Sequence, residues 1–301
     1  MSAIPLQLVT GFLGSGKTTF LKNYLDEFSG ERKIGIIQNE FSEVNVDCIE
    51  LQQKNADFKV LEINNGSAFC VCLLGSFIGS LAAFIDQHHP DELILEASGM
   101  SDPLSVGQIF QSPLLKNKVY LDHVWCLVDA LNFEKIATLQ TRVNHQIRIA
   151  DTIIVNKSDL AGAKIDTVVH RIEYLNPFAT VVTTSFAQIK FEESKPVMKF
   201  YPSEEKAENG RPSLESLVIK SNRKIDSEKL DEFLKVVHKG CIRSKGYINL
   251  TSGVKVFLQG SFNTFSLQEV EAFAAPTEFI ILGNFSGKQI YQKLFENLCV
   301  S

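Results

Sequence analysis

The amino-acid sequence predicts an α/β protein in which a mostly parallel sheet, covered by helices on both faces, is followed by a smaller α+β domain. Two observations predict this architecture. Through about residue 184, short apolar runs alternate with stretches of helical periodicity, and strands that alternate with helices form parallel sheets. After a polar, proline-containing segment, strand candidates outnumber helical ones. A chain of 301 residues is long enough for two domains.

The strands predicted for the first domain are short apolar runs rich in branched residues. In chain order they are Ile4–Thr10, Lys33–Ile37, Phe58–Ile63, Glu92–Leu95, His123–Val128, Thr152–Val155 and Thr180–Thr184. The predicted helices between them are a first one through about Glu27, then Phe77–Ile85, one through Ile147, and Ile165–Leu175. Ligands of such sheets bind at the carboxyl ends of the strands. Polar residues that follow these strands are therefore the candidates for function.

The domain boundary is predicted from a change in composition. Residues 196–212 include three prolines around a polar run without apolar periodicity, which is typical of an exposed linker. We therefore expect a first domain over residues 1–195 and an α+β domain over residues 213–301. The strands predicted in the second domain are Leu217–Lys220, Tyr247–Leu250, Val254–Gln259, Thr264–Leu267 and Glu278–Leu282, and its predicted helices are Ser227–His238 and Lys288–Leu298.

Composition and charge exclude several classes of protein. Hydrophobic residues make up 45% and charged residues 22%, which is ordinary for a soluble globular protein. A formal net charge of −5 does not favour binding to nucleic acid or to an acidic membrane surface. No apolar run approaches the ~20 residues of a spanning helix, and the first residues do not resemble a signal peptide. We expect a cytoplasmic protein whose six cysteines are reduced.

The first strand is followed by a phosphate-binding loop. Residues 11–18 match G-x-x-x-x-G-K-[ST]. The glycines allow a tight turn that brings backbone N–H groups to phosphate oxygens, Lys17 reaches the β- and γ-phosphates, and the Thr18 hydroxyl binds Mg²⁺. The next helix directs its positive end at the same anion. The predicted phosphate contacts are Gly11, Gly14, Ser15, Gly16, Lys17, Thr18 and Thr19.

A guanine contact is predicted where the sixth strand ends. Residues 156–159 read Asn-Lys-Ser-Asp, and in an N-K-x-D sequence placed after a buried strand the carboxylate accepts hydrogen bonds from both the ring N–H and the exocyclic amine of guanine. Adenine has no such pair of donors, so a site built for this pairing rejects it. We expect Asn156, Lys157 and Asp159 to bind the base. An ordinary strand-to-turn sequence is the alternative.

Another acidic residue closes the fourth strand. We expect Glu96 to hold Mg²⁺ through water and the Gly99 N–H to sense the γ-phosphate, so that the segment after Gly99 acts as a switch. With Lys17 and Thr18, Glu96 is a predicted catalytic residue. The alternative is a helix cap built by the serines here. Since Met100, and not a glutamine, follows Gly99, we expect slow intrinsic hydrolysis.

A pair of cysteines suggests a second metal. Cys70 and Cys72 are two residues apart, so in extended backbone both thiols lie on one side. Zn²⁺ prefers about four ligands of the Cys, His or carboxylate type. Glu40 follows the second strand and is a candidate third ligand. The alternative is that both thiols are buried and structural.

Taken together, these motifs resemble those of CobW-like GTPases. The shared sequences are Gly-Phe-Leu-Gly-Ser-Gly-Lys-Thr-Thr at 11–19, Asn-Glu-Phe at 39–41, Cys-Val-Cys at 70–72, Glu-Ala-Ser-Gly at 96–99 and Asn-Lys-Ser-Asp at 156–159. The resemblance implies a P-loop NTPase fold, slow hydrolysis of GTP with Mg²⁺, and binding of Zn²⁺, Co²⁺ or Ni²⁺ near the cysteines for delivery to a client metalloprotein or metallocofactor enzyme. Leu73 replaces the family's third cysteine, so the ligand roles carried over are those of Cys70, Cys72 and Glu40.

Two functions are consistent with these motifs. The first is a GTP-hydrolysing metallochaperone or metal-insertase accessory protein for zinc, cobalt or nickel. The second is a metal-independent regulatory GTPase that acts on a partner protein, which Leu73 favours. A small-molecule kinase is a weaker third, because it would not need Asn156 and Asp159.

Overall fold

The chain divides into two compact units, Met1–Glu192 and Glu193–Ser301. The computed structural model describes residues 3–39, 58–63, 74–97, 106–139, 141–191, 199–200, 215–237, 241–261, 264–270, 276–283 and 288–300. Within these ranges no helix is long and apolar enough to cross a membrane.

The first unit contains a seven-stranded sheet. Its strands are β1 (Ile4–Gly11), β2 (Ile34–Asn39), β3 (Phe58–Ile63), β4 (Glu92–Glu96), β5 (Val119–Asp129), β6 (Thr152–Asn156) and β7 (Thr180–Thr183). They lie in the order β3-β2-β4-β1-β5-β6-β7, and every pair of neighbours is parallel. The predicted parallel sheet is thus confirmed. Because β1 lies between β4 and β5, the loops after these three strands meet at one edge.

Helices connect the strands of this unit. They are α1 (Lys17–Phe28), α2 (Leu74–His88), α3 (Gly107–Gln111), α4 (Phe133–Leu139), α5 (Thr141–Ile149), α6 (Ser158–Ala161) and α7 (Ile165–Leu175). On one face of the sheet Phe20 and Leu25 of α1 pack with Val9 and Ile36 in a buried cluster. On the other face Phe84 of α2 approaches so closely that a Cβ at Gly35 would lie 2.8 Å from its ring. Both faces are therefore buried, which explains why the strands are apolar without alternation.

The second unit contains a six-stranded antiparallel sheet. Its strands are β8 (Lys199–Phe200), β9 (Glu215–Ser221), β11 (Cys241–Asn249), β12 (Lys255–Ser261), β13 (Thr264–Val270) and β14 (Thr277–Gly283), in the order β8-β13-β12-β11-β14-β9. A separate ribbon pairs β10 (Lys224–Ile225) with β15 (Cys299–Val300). Helices α8 (Ser227–Val237) and α9 (Lys288–Leu298) bring Phe233 and Phe295 to 5.3 Å between ring centroids, and Phe295 lies 5.3 Å from Phe279 of β14. This aromatic cluster forms part of the core of the α+β unit.

Several predicted boundaries were wrong. Strand β5 begins at Val119 and not at His123, since its polar side chains find partners: Asp122 accepts from Gln7, and His123 lies 3.0 Å from the Thr152 hydroxyl. The helix predicted through Ile147 is two helices, α4 and α5. Strand β11 begins at Cys241, six residues before the predicted start.

Candidate functional site

The phosphate-binding sequence forms the turn between β1 and α1. Gly11, Gly14 and Gly16 have φ of 138°, 75° and 105°, values that residues with a Cβ rarely adopt. A Cβ at Gly16 would also lie 2.3 Å from Nδ2 of Asn156. The Ser15 side chain is fully buried, and its Oγ has no hydrogen-bond partner. A glycine-lined turn with an unsatisfied buried hydroxyl fits a site that receives an oxygen-rich anion.

Lys17 folds back over this turn. Its Nζ donates to the carbonyl oxygens of Gly11 at 3.0 Å and Phe12 at 3.3 Å. Burial lowers the pKa of Lys17, and the negative charge of Glu96 opposes that shift. The ammonium is thus held inside the loop on weak neutral acceptors, which a phosphate can replace with stronger charge-assisted bonds. Thr18 and Thr19 follow in the first turn of α1.

Asn156 joins the phosphate turn to the opposite side of the site. This residue ends β6 and is 3% exposed. Its Nδ2 donates to the carbonyl oxygen of Ser15 at 2.9 Å, and its Oδ1 accepts from the Ala187 N–H at 2.9 Å. One amide therefore fixes the distance between the phosphate turn and the loop after β7.

Lys157 directly follows Asn156, and Asp159 lies in the first turn of α6. The Asp159 carboxylate is exposed and accepts a hydrogen bond from the Ser185 hydroxyl at 2.7 Å. Nζ of Lys157 donates to Asp129 at 2.8 Å. Asp129 also accepts from the backbone N–H of Leu131, as expected of a turn aspartate. Burial favours protonated Asp129, but hydrogen bonds from Lys157 and Asn132 outweigh it and lower the pKa of this carboxyl.

Residues 185–187 form a turn that sequence analysis missed. Phe186 and Ala187 have φ of 57° and 52°, a left-handed conformation that costs about 1–2 kcal/mol for a residue with a Cβ. Turn rules expect glycine, asparagine or aspartate at such positions, so the sequence Ser-Phe-Ala gives no local signal. The available signal was its place after β7, beside β6 at the carboxyl edge of the sheet.

Glu96 ends β4 beside β1. In the parallel pairing it lies opposite Val9, and its Oε2 accepts from Nε2 of Gln38 at 2.9 Å. It is partly buried, and its charge acts on Lys17. The structure therefore brings the phosphate turn, Glu96 and Asn156 to one edge of the sheet, with Asp159 just beyond Asn156.

Four predicted residues lie outside the described residues: Gly99, Glu40, Cys70 and Cys72. In the part of the chain that the structure describes, no group of three or more His, Cys, Asp or Glu side chains is placed to hold a metal ion. The described cysteines are Cys126 and Cys241, both buried, and Cys299, which is partly buried.

The fold and this edge of the sheet define a P-loop nucleotide-binding protein. The chain belongs to the CobW family: the CobW/HypB/UreG nucleotide-binding domain matches residues 5–183, and the cobalamin synthesis protein cobW C-terminal domain matches residues 214–299. The resemblance stated from the motifs is thereby confirmed.

Individual relatives carry names that refer to zinc. The chain is 34% identical over 197 residues to the zinc chaperone YjiA of Escherichia coli (strain K12), covering 63% of this chain and 60% of that one. It is 24% identical over 298 residues to the zinc-regulated GTPase metalloprotein activator 1 of Dictyostelium discoideum, covering 81% of this chain and 62% of that one. The chain thus spans about 60% of the length of these two relatives.

A solved structure supports the fold over the whole chain. The crystal structure of Zn(II)-bound YjiA GTPase from E. coli matches with a TM-score of 0.61 at 21% identity, covering 99% of each chain. At this identity the match speaks for the shared fold of both units.

Proposed function

We propose that the protein binds GTP with Mg²⁺, hydrolyses it slowly, and couples this reaction to the delivery of a transition metal, with zinc as the first candidate. The observation that carries the nucleotide part is the double hydrogen bond of Asn156, which joins the phosphate turn to the loop beside Asp159. The metal part rests on the family and on the names of its zinc-chaperone members.

The base would be recognised by Asp159. Its exposed carboxylate already accepts the Ser185 hydroxyl on Oδ1, which orients the group while leaving acceptor capacity for a ligand. Guanine presents its ring N–H and exocyclic amine side by side, and one carboxylate accepts both. Adenine lacks this pair, so the site would discriminate against it.

The phosphates would bind in the turn between β1 and α1. Lys17 would exchange its bonds to two carbonyl oxygens for bonds to the β- and γ-phosphates, and the buried Ser15 hydroxyl would gain a partner. The Thr18 hydroxyl and the Glu96 carboxylate offer hard oxygen ligands suited to Mg²⁺, which neutralises developing phosphate charge when bound. Glu96 also places a negative charge near Lys17, which opposes the lowering of the Lys17 pKa by burial.

We infer that the transition metal is held by Cys70, Cys72 and Glu40, the residues that correspond to the family's metal motif. Thiolates bind Zn²⁺ tightly and lose protons on binding, so the affinity is pH dependent and responds to ligand geometry. A switch that moves with the γ-phosphate would change that geometry. The recipient would be a client metalloprotein or metallocofactor enzyme in the cytoplasm.

Base recognition is tested by nucleotide competition. In wild-type protein, GTP should displace a fluorescent GTP analogue far better than ATP does. Asp159→Asn should weaken GTP by about 10- to 100-fold, since a charged hydrogen-bond acceptor is lost, and should favour xanthosine triphosphate, whose ring carries a carbonyl in place of the amine. Asp166→Asn, at an exposed position of α7, is the matched control. Equal affinity for ATP and GTP would overturn the guanine assignment.

Metal coupling is tested by titrating reduced protein with Zn²⁺ against a coloured chelator, with and without GTP and Mg²⁺. Tight binding that changes with nucleotide, and that is lost in the Cys70→Ser/Cys72→Ser double variant while GTP binding persists, is the expected result. Binding no stronger than that of the double variant would contradict the metal role. Leu73 at the position of the family's third cysteine would then favour a metal-independent regulatory GTPase.

A further inference from the structure

Asn23 makes a contact that the phosphate and base motifs do not explain. It lies on α1, about one turn after Thr19, the last of the phosphate-binding residues. Its Nδ2 donates to the carbonyl oxygen of Phe186 at 3.0 Å and to that of Ala187 at 2.9 Å. Both acceptors belong to the 185–187 turn, more than 160 residues away in sequence.

The 185–187 turn needs such support because its conformation is unfavourable for its sequence. Phe186 and Ala187 are consecutive left-handed residues, and each carries a Cβ that disfavours this conformation. The Phe186 side chain is 71% exposed, so burial of its ring contributes little to holding the turn. The Ala187 side chain is fully buried, and side-chain hydrogen bonds to the turn's backbone add to that packing.

Besides Thr184, whose hydroxyl donates to the carbonyl oxygen of Ser185 at 3.3 Å, two asparagines supply these bonds. Asn156 accepts from the Ala187 N–H, and Asn23 donates to the carbonyl oxygens of Phe186 and Ala187. The first residue of the turn, Ser185, is the one whose hydroxyl donates to Asp159. The orientation of the Asp159 carboxylate thus depends on a turn that Asn23 helps to hold.

We propose that Asn23 is a positioning residue for base recognition: by holding the 185–187 turn, it keeps the Ser185 hydroxyl on Asp159 and sets discrimination for the guanine amine. This inference rests on the proposed binding of guanine nucleotide. Because Asn23 lies on the helix that begins at the phosphate turn, it also links the phosphate and base sides of the site along a path separate from Asn156.

The test measures dissociation constants for GTP and for inosine triphosphate, which keeps the ring N–H but lacks the exocyclic amine. Asn23→Ala and Asn23→Asp both remove the donor, and the second keeps the shape of the side chain. In each we expect the dissociation constant of GTP to rise about 3- to 10-fold, the effect of one or two lost hydrogen bonds. The dissociation constant of inosine triphosphate should change less than about twofold, so the ratio of the dissociation constant of GTP to that of inosine triphosphate rises. Asp26→Ala, an exposed position on the same helix, should leave both constants unchanged.

A second variant separates positioning from general damage. Glycine adopts the left-handed conformation freely, so in a Phe186→Gly background the turn needs less support, and Asn23→Ala should then change the ratio less than it does in wild type. An equal loss of affinity for both nucleotides in Asn23→Ala, or an unchanged ratio of the two dissociation constants in Asn23→Asp, would overturn the inference. Either result would leave the guanine assignment intact. If wild-type protein does not prefer GTP to ATP, the proposed function is wrong and this inference fails with it.

Discussion

Two glutamates stand at opposite ends of the five-residue strand β4, and they have different surroundings. Glu92, at the amino end, is 2% exposed and accepts hydrogen bonds from Gln7 and Tyr24, both at 2.8 Å, with Arg32 at 3.3 Å. Glu96, at the carboxyl end, is partly buried and accepts from Gln38. The charge of Glu96 acts on Lys17, which lies in the phosphate turn.

The difference shows that the position of a glutamate in a parallel sheet, at the amino or the carboxyl end of a strand, decides whether it stabilises the fold or faces a ligand site. The partners of Glu92 are themselves held: Gln7 Oε1 accepts from the Trp125 indole at 3.0 Å, and Gln7 Nε2 donates to Asp122. Such a buried and mutually satisfied network stabilises the fold and leaves nothing to offer a ligand. At the carboxyl edge, by contrast, polar side chains bind loop backbone and face the place where ligands of parallel sheets bind.

The largest expected effect belongs to Lys17 at the carboxyl edge. Lys17→Ala should weaken triphosphate binding by about 100-fold or more, because two charge-assisted hydrogen bonds are lost. The free energy of unfolding without nucleotide should not fall by more than about 1 kcal/mol, since burial already disfavours the charged lysine. Calorimetric titration with GTP and thermal unfolding of the same samples measure both quantities.

Lys33→Ala is the matched control for Lys17→Ala. Lys33 precedes β2 at the amino edge, and its side chain is exposed. The Lys33→Ala variant should bind GTP with the same affinity as wild type. If both lysine variants lost nucleotide affinity equally, the distinction between the two edges would be wrong.

Glu96→Gln should act on hydrolysis more than on stability. A neutral amide in place of the carboxylate should reduce Mg²⁺ affinity, and with it the hydrolysis rate at limiting Mg²⁺, by about 10- to 100-fold, the usual effect of changing a group that holds a metal through water. Phosphate release measured over a range of Mg²⁺ concentrations checks this. A rate that matches wild type at low Mg²⁺ would remove Glu96 from the Mg²⁺ site.

The sequence predicts the architecture better than its details. The strands of the parallel sheet are predicted near their observed places; β4 and β6, for example, are buried almost throughout and read as continuous apolar runs. The start of β5 was missed because Asp122 and His123 interrupt that run, and their partners, Gln7 and Thr152, are distant in sequence. A local sequence pattern does not show which distant residues will form hydrogen bonds with a polar side chain.

The candidate site shows the same limit. Gly16, Lys17 and Asn156 belong to local motifs, so their spacing alone predicts where they lie. Ser185 and Asn23 belong to no motif, and their role depends on a turn whose left-handed residues, Phe186 and Ala187, carry none of the usual turn signals. The family's metal residues, among them Cys70 and Cys72, remain predictions from the motif.

Glu92→Gln should have the smallest effect on nucleotide binding and a measurable effect on stability. Burial raises the pKa of Glu92 above its ordinary value of 4.5, although Tyr24, Arg32 and Gln7 oppose the shift. From about pH 4.5 upward the folded state thus keeps a proton that the unfolded chain has lost, and wild-type stability falls as pH rises toward the folded pKa. Above that pKa the favourable contribution is gone.

The glutamine variant has no carboxyl to titrate at this position, so this part of the pH dependence should vanish. Its free energy of unfolding should be lower than that of wild type by about 1–3 kcal/mol at neutral pH, because one acceptor of the buried network becomes a donor facing Arg32. The dissociation constant for GTP should stay within about twofold of the wild-type value. Urea unfolding between pH 4 and pH 8, compared with Glu96→Gln, measures the slope. The comparison within β4 fails if Glu96→Gln loses the slope and Glu92→Gln keeps it, because the amino end would then no longer be the structural end of the strand.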